Sequence, residues 1–251
     1  MKYILLLSLL SYQVTHANEA NETSNQRPQA TGFIYGAGVA YQQQLYKGFD
    51  QRTIALPLIG YVGENLNVFG PFVSYSFYKK DDWKVDVNLS PRFSGYEASD
   101  SPFFEGMSER KDSLDAGFSL NYSPANWTLK FSTLSDVLSK SKGNEFSFMV
   151  ANKHKIGLLS IEPSVTISQF DNDLSDYYFG VLQNEATDSR SYYEGTSSVN
   201  KTVGVAFTHP LPIGLLRLDV SNTWYGSGIT DSPLVDSDKS FSTRLFFIGF
   251  F

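Results

Sequence analysis

The sequence predicts an all-β fold: a single antiparallel transmembrane β-barrel of about twelve strands, with short periplasmic turns and long extracellular loops. Three observations predict it. From Gly32 onward apolar and polar residues alternate with a period of two in one segment after another, many with aromatic ends. The joints between these segments are alternately short and long, and the chain closes on an alternating strand that ends in Phe251.

Composition narrows the class first. The 251 residues include 20 Phe, 15 Tyr, 3 Trp and 19 Gly, but no Cys. Beyond the N-terminus no window approaches the roughly 18 apolar residues of a helical membrane span. Lys2, the apolar residues 3–10 and the small-residue site Thr15-His16-Ala17 read as a signal peptide over residues 1–17, cut after Ala17. Removing Lys2 takes the net charge from −6 to −7, so nucleic acid is excluded as a partner. Absence of Cys agrees with an exported protein that needs no disulfide. Residues 18–31 are polar, carry Pro28 and read as a flexible periplasmic tail, which leaves 32–251 for the barrel. The triplets at Asn21, Asn88, Asn121, Asn126 and Asn200 mostly fall inside expected strands and read as chance rather than glycosylation.

Taken in order, the first strand is 33–41, with Phe, Tyr, Ala, Val and Tyr on one face. Weaker patterns follow at 53–62 and 66–78. In 83–93 Trp83, Val85, Val87, Leu89 and Phe93 oppose Lys84, Asp86, Asn88, Ser90 and Arg92, the pattern of a wall between lipid and water. Residues 113–122 and 160–168 repeat it, with weaker segments at 127–131, 146–151 and 198–208. Leu216, Leu218, Val220 and Trp224 oppose Arg217, Asp219 and Ser221. In the closing strand Phe241, Leu245, Phe247 and Phe251 share one face, and Ser242 and Arg244 the other. That ending resembles the C-terminal insertion signal read by the barrel-assembly machinery of bacterial outer membranes.

Short joints fall at 79–82, 123–126, 152–157 and 209–212, and long ones at 94–112, 135–144, 171–197 and 226–238. Eleven segments are counted this way, whereas such barrels have even strand numbers. The expectation is therefore twelve, with the fault between Gly32 and Tyr78 and Gly70-Pro71 the residues that would break a ladder.

Chemistry finds little purchase. After signal cleavage His154 and His209 are the remaining histidines, both expected in short periplasmic turns, where a lipase-like dyad would not sit. Residues 171–177 resemble a calcium loop until the sixth position, Asp176 instead of Gly, and the twelfth, Leu182 instead of Glu, so a solvated loop is expected. No catalytic residue, cofactor or metal site is expected. The expected lumen-facing charges are Lys84, Asp86, Arg92, Asp115, Glu162, Arg217, Asp219 and Arg244. They either line a selective pore or form a cross-strand ionic network that fills a narrow barrel, and their mixed signs favour the filled interior.

With the segments in place, a family resemblance covers most of the mature chain. Its pieces are Gly36 and Gly38, Tyr46-Lys-Gly48, Leu56-Pro57 with Tyr61, and Arg92 with Tyr96. Gly106-Met107 with Arg110, Asp115 with Gly117, Tyr178-Phe-Gly-Val181 with Glu185-Ala186 and Tyr193, and Ser232-Pro-Leu-Val235 complete them. In order and spacing the chain resembles the MipA/OmpV family of outer-membrane proteins, the MltA-interacting proteins. It departs at Gly249-Phe-Phe251, where a Tyr or other aromatic residue two before the last is expected. The resemblance implies an outer-membrane barrel without enzymatic activity, in some members a scaffold joining a lytic transglycosylase to a peptidoglycan synthase. A narrow channel for small solutes is the alternative, resting on the inward polar residues. Outer-membrane lipid is an expected partner of the wall, and the long loops are expected to meet lipopolysaccharide, solutes or host surfaces.

Overall fold

A computed structural model describes residues 31–251. The expected signal peptide, and the expected tail apart from Thr31, lie outside the described residues. The strands are β1 (Gly32–Gln43), β2 (Gln51–Val62), β3 (Leu66–Phe69), β4 (Phe72–Lys80), β5 (Trp83–Arg92), β6 (Ser113–Tyr122) and β7 (Trp127–Asp136). They continue with β8 (Asn144–Asn152), β9 (His154–Ile156), β10 (Leu159–Phe170), β11 (Ser198–Leu211), β12 (Gly214–Trp224) and β13 (Lys239–Phe250).

Each strand pairs antiparallel with its neighbour, and β1 pairs with β13 from Ile34↔Phe250 to Gln42↔Ser242, which closes the cylinder. β8 and β9 both pair with β10 and share one position, broken at Lys153 opposite the part of β10 that holds Pro163. The barrel therefore has twelve wall positions. Closure depends on two small residues. A Cβ on Gly36 would stand 2.0 Å from the carbonyl oxygen of Phe247, and one on Gly38 2.2 Å from the ring of Phe246. Without side chains there, the closing strand lies tight against β1 and Phe246 folds inward.

The twelfth position comes from the suspected fault. Gly70, at φ +57°, and Pro71 form the two-residue turn of a short hairpin between β3 and β4. What the alternation joins into one strand over 66–78 is two antiparallel strands. Elsewhere strands outrun their hydrophobic pattern: β7 continues to Asp136 and β8 begins at Asn144, because the ladder extends through Ser, Thr and Asn at the outer rim. His209 sits inside β11 opposite Leu216, not in a turn, and His154 begins β9.

The short hairpin leaves a notch. β3 pairs with β2 along Gly60–Val62, and β4 pairs with β5 no further outward than Leu89. Outward of the Gly70-Pro71 tip, Gln51–Leu58 of β2 and Ser90–Arg92 of β5 face each other with no strand between them. Strand direction then explains two prolines. The Gly70 amide donates to Ile59 O, so odd residues of β2 aim their backbone groups at the notch and Pro57 lacks its N–H on that side. By the same count from the bond between Ser76 N and Asn65 O, Pro91 of β5 also lacks its N–H on the notch side. Arg52 bridges the outer end of the notch, donating to Phe93 O at 3.3 Å and Gly95 O at 3.1 Å.

Behind the notch the lumen is apolar, packed by Ile34, Ile54, Leu58, Phe69, Phe72, Phe93 and Phe246. The opposite wall is polar inside. Outward-facing Phe33, Ile59, Phe118, Val165 and Leu245 are exposed, as lipid-facing residues of a barrel must be. Trp83 stacks on Tyr122 at 4.4 Å near the inner rim, and Tyr41 meets Phe241 at 6.5 Å near the outer rim.

Candidate functional site

The eight candidate charges fall on the inward face in separate groups. Arg92, 8 % exposed, lies between two carboxylates: its Nη2 is 2.6 Å from Asp115 and 2.7 Å from Glu145. The alternation does not single out Glu145, the second residue of β8, because it precedes the hydrophobic segment at 146–151. Lys84 lies 3.5 Å from Asp86, which also accepts from Ser76 at 2.6 Å and Asn121 at 2.9 Å. Arg217 pairs with Asp219 at 2.9 Å and donates to Thr208, while Arg244 stands across the ladder from Asp219. Glu162, also buried, stands across from Ala206. The arrangement is three local pairings rather than one continuous file of charge. Of the closing-strand residues, Phe241, Leu245 and Phe251 are exposed and Phe247 half-buried, all on the outer face.

Above the barrel the long connections fold into a cap with a core of its own. Leu45 and Tyr46 come from the β1–β2 loop, and Tyr96, Phe104 and Met107 from the β5–β6 loop. Leu174, Tyr178, Phe179 and Val181 come from the β10–β11 loop, and Ile229, Leu234 and Val235 from the β12–β13 loop. Tyr46 is central. Its ring stacks on Phe179 at 5.3 Å and meets Tyr96 and Phe104 edge-on, and its hydroxyl donates to Tyr178 O at 3.2 Å. Burial pushes that hydroxyl well above its ordinary pKa, so it remains a donor. Four of the long connections converge on this point at the outer rim.

Residues 171–177, expected as a solvated loop, belong to a helix, Asn172–Phe179. Asp171 caps it by accepting from Leu174 N at 2.9 Å, and Leu174, Ser175, Tyr178 and Phe179 are buried. The expectation failed because the neighbouring Asp, Asn and Ser read as solvent-facing, whereas here they serve as cap and turn residues.

An ionic clamp ties the cap together. Arg110 donates from Nη1 to Glu185 Oε1 at 3.0 Å and from Nη2 to Oε2 at 2.7 Å, with Nε on Tyr177 O at 2.8 Å. Arg190 donates to Glu185 O at 2.7 Å and Glu105 O at 3.1 Å, and also to Phe103 O. Burial alone would raise the Glu185 carboxyl. The Arg110 guanidinium and the N–H groups of Ser108 and Leu182 outweigh it and hold the carboxyl at about 2. Local sequence patterning missed this clamp, because its partners lie 75 residues apart.

Beneath the cap, on the polar side of the lumen, lies a cavity of about 220 Å³. Serine and threonine hydroxyls line its wall in cross-strand pairs: Ser132 with Ser147 at 2.7 Å, Thr202 with Thr223 at 2.8 Å and Ser221 with Ser242 at 2.8 Å. Tyr178, Phe179, Phe170 and Tyr225 contribute aromatic surface towards the cap. Among the described residues, no group of three or more His, Cys, Asp or Glu has a geometry that would hold a metal ion.

Residues 35–248 match the family model described as MltA-interacting protein MipA. The chain is 30% identical over 221 residues to the putative outer membrane protein YiaT of Escherichia coli K12, covering 85% of this chain and 88% of that one. It is 24% identical over 216 residues to the MltA-interacting protein of the same organism, covering 81% and 84%. Among solved structures it is similar to an outer membrane channel from Pseudomonas putida F1, with TM-score 0.40, 10% identity and coverage of 93% and 100%.

Proposed function

The chain belongs to the MltA-interacting protein family of outer-membrane barrels, and from that premise we propose that it acts as a closed, non-enzymatic binding or scaffolding barrel. The observation that carries this reading is the cap. Tyr46, Phe104, Val181 and Leu234, all buried, come from four different long loops and pack into one core at the outer mouth. The lumen below is occupied by an apolar cluster on one side and paired charges on the other. A murein-remodelling enzyme is the first partner to test, since one relative is named for interacting with MltA, a lytic transglycosylase. The surfaces within its reach are the tail and the short turns near Asp81 and Ala125, two residues held at positive φ. On the outside, the cap is the surface that lipopolysaccharide or other envelope molecules meet.

A narrow channel is the second reading, favoured by the cavity beneath the cap. Single-channel conductance of the refolded mature protein in a planar bilayer separates the two. The closed-barrel reading expects silence from folded protein. Steady discrete openings would overturn it and make Arg92 and Arg217 the residues to neutralise. For the scaffold, the refolded barrel should retain a lytic transglycosylase in a pull-down and lose it when the turn at residues 123–126 is altered. Equal retention by both would sink the periplasmic contact.

A further inference from the structure

We propose that the cavity beneath the cap is a binding site for one neutral, polyhydroxylated molecule about the size of a hexose or hexitol. The site goes beyond the closed-barrel reading and does not depend on it. At about 220 Å³ the cavity is many times the roughly 10–15 Å³ that a single water requires on the same measure. Its wall is built from the three hydroxyl pairs of β7–β8, β11–β12 and β12–β13. Hydroxyls both donate and accept, which suits a ligand whose own groups do the same.

Three amide groups on that wall retain unused capacity. Asn200 is 1 % exposed, and its Oδ1 accepts from Ser198 Oγ at 2.9 Å and Gly226 N at 3.2 Å, which fixes the amide and leaves Nδ2 with no protein partner. Gln42 Oε1 and Gln44 Nε2 are likewise buried and unpartnered. An acceptor and two donors without partners, in a wall where six hydroxyls pair with one another, point to a ligand that completes them. Tyr178, Phe179 and Tyr225 give apolar faces against which the C–H surface of a sugar ring or polyol chain packs.

Charge selects for neutrality. The charged lining residues are Arg92, Lys130 and Glu145, and Arg92 also holds Asp115, so two cations are set against two carboxylates. An anionic or cationic sugar would enter with no net field in its favour and would have to be desolvated.

The test uses the full mature chain refolded in an amine-oxide detergent, which has no sugar headgroup to compete. Its folded state is checked by heat-modifiable migration. Calorimetric titration with D-glucose and D-mannitol, against D-gluconate and D-glucosamine, should show saturable binding of at least one neutral compound and about tenfold or weaker binding of the charged ones. Thr202→Val keeps the side-chain shape and Asn200→Leu removes the donor; each should weaken the neutral ligand about tenfold without altering migration. If Asn200→Leu fails to fold, Thr202→Val carries the comparison. No saturable heat from folded protein at tens of millimolar, equal binding of the charged compounds, or undiminished binding by folded Thr202→Val would overturn the site. Conductance of the same preparation reads the closed-barrel proposal separately: a conducting barrel that binds glucose loses that proposal and keeps this one, and a silent barrel that binds nothing does the reverse.

Discussion

Glu185 joins two arginines of the cap. One carboxylate takes both prongs of Arg110, while its own carbonyl oxygen takes Arg190. Breaking a buried pair by removing one partner typically costs about 3–5 kcal/mol, because the remaining charge stays buried. Glu185→Gln should therefore make the outer loops sensitive to protease while the barrel retains its heat-modifiable migration. The pH dependence has a definite sign. The carboxyl titrates at about 2 in the folded cap and in the ordinary glutamate range when unfolded. Its stabilisation is complete above about pH 4.5, where the unfolded carboxyl is also ionised, and is lost as pH falls towards 2. Limited proteolysis of the loops across that range should show protection falling with pH, and less so in Glu185→Gln. Phe104, fully buried against Tyr46 and Tyr96, should cost about 3–5 kcal/mol of cap stability when cut to Ala. Arg110, Glu185 and Tyr178 were all visible in the sequence as family pieces, yet nothing local showed that they touch. The usable signal was the run of large apolar residues in supposed solvent loops, Phe103-Phe104 and Tyr178-Phe179 among them, more than a hydrated loop has reason to carry.

At the scale of elements, the short hairpin shows what alternation reads well and what it misses. Period two located the inward and outward faces, because lipid on one side and lumen on the other enforce it residue by residue. Read as one segment over 66–78 it hid a change of phase, because the two-residue turn moves the buried positions from Asn67 and Phe69 in β3 to Phe72, Ser74 and Ser76 in β4. Pro57 and Pro91 carried the missing information: a proline in a ladder marks an edge, and both lie along the notch. It follows that Pro57→Ala should change stability by less than about 0.5 kcal/mol, because the restored N–H points at the notch and gains no strand partner. Hydrogen exchange should report the same geometry. The amides of Thr53 and Ala55 face the notch and should exchange faster than those of Ile54 and Leu58, which face β1. Equal protection along β2 would mean that the notch is closed.

For the whole molecule, the twelve-stranded closed wall was legible because loop lengths, strand parity and the bilayer impose the same solution on every hairpin. The cap was not, since its core is assembled from loops far apart in the chain and held by packing that no periodic pattern records. Wall and cap have separate hydrophobic cores, so they should lose structure separately. Heating should first expose tryptic sites in the loops and only later abolish heat-modifiable migration; simultaneous loss would mean one cooperative unit. β1 and β13 are stitched along most of the length of β1, whereas β2 and β3 share only Gly60–Val62. A cask parts where its staves are least hooped, and here that is not the weld between first and last stave. Sideways tension from the surrounding bilayer, or a pull applied across the cylinder, will open this wall beside Pro57 while the weld still holds.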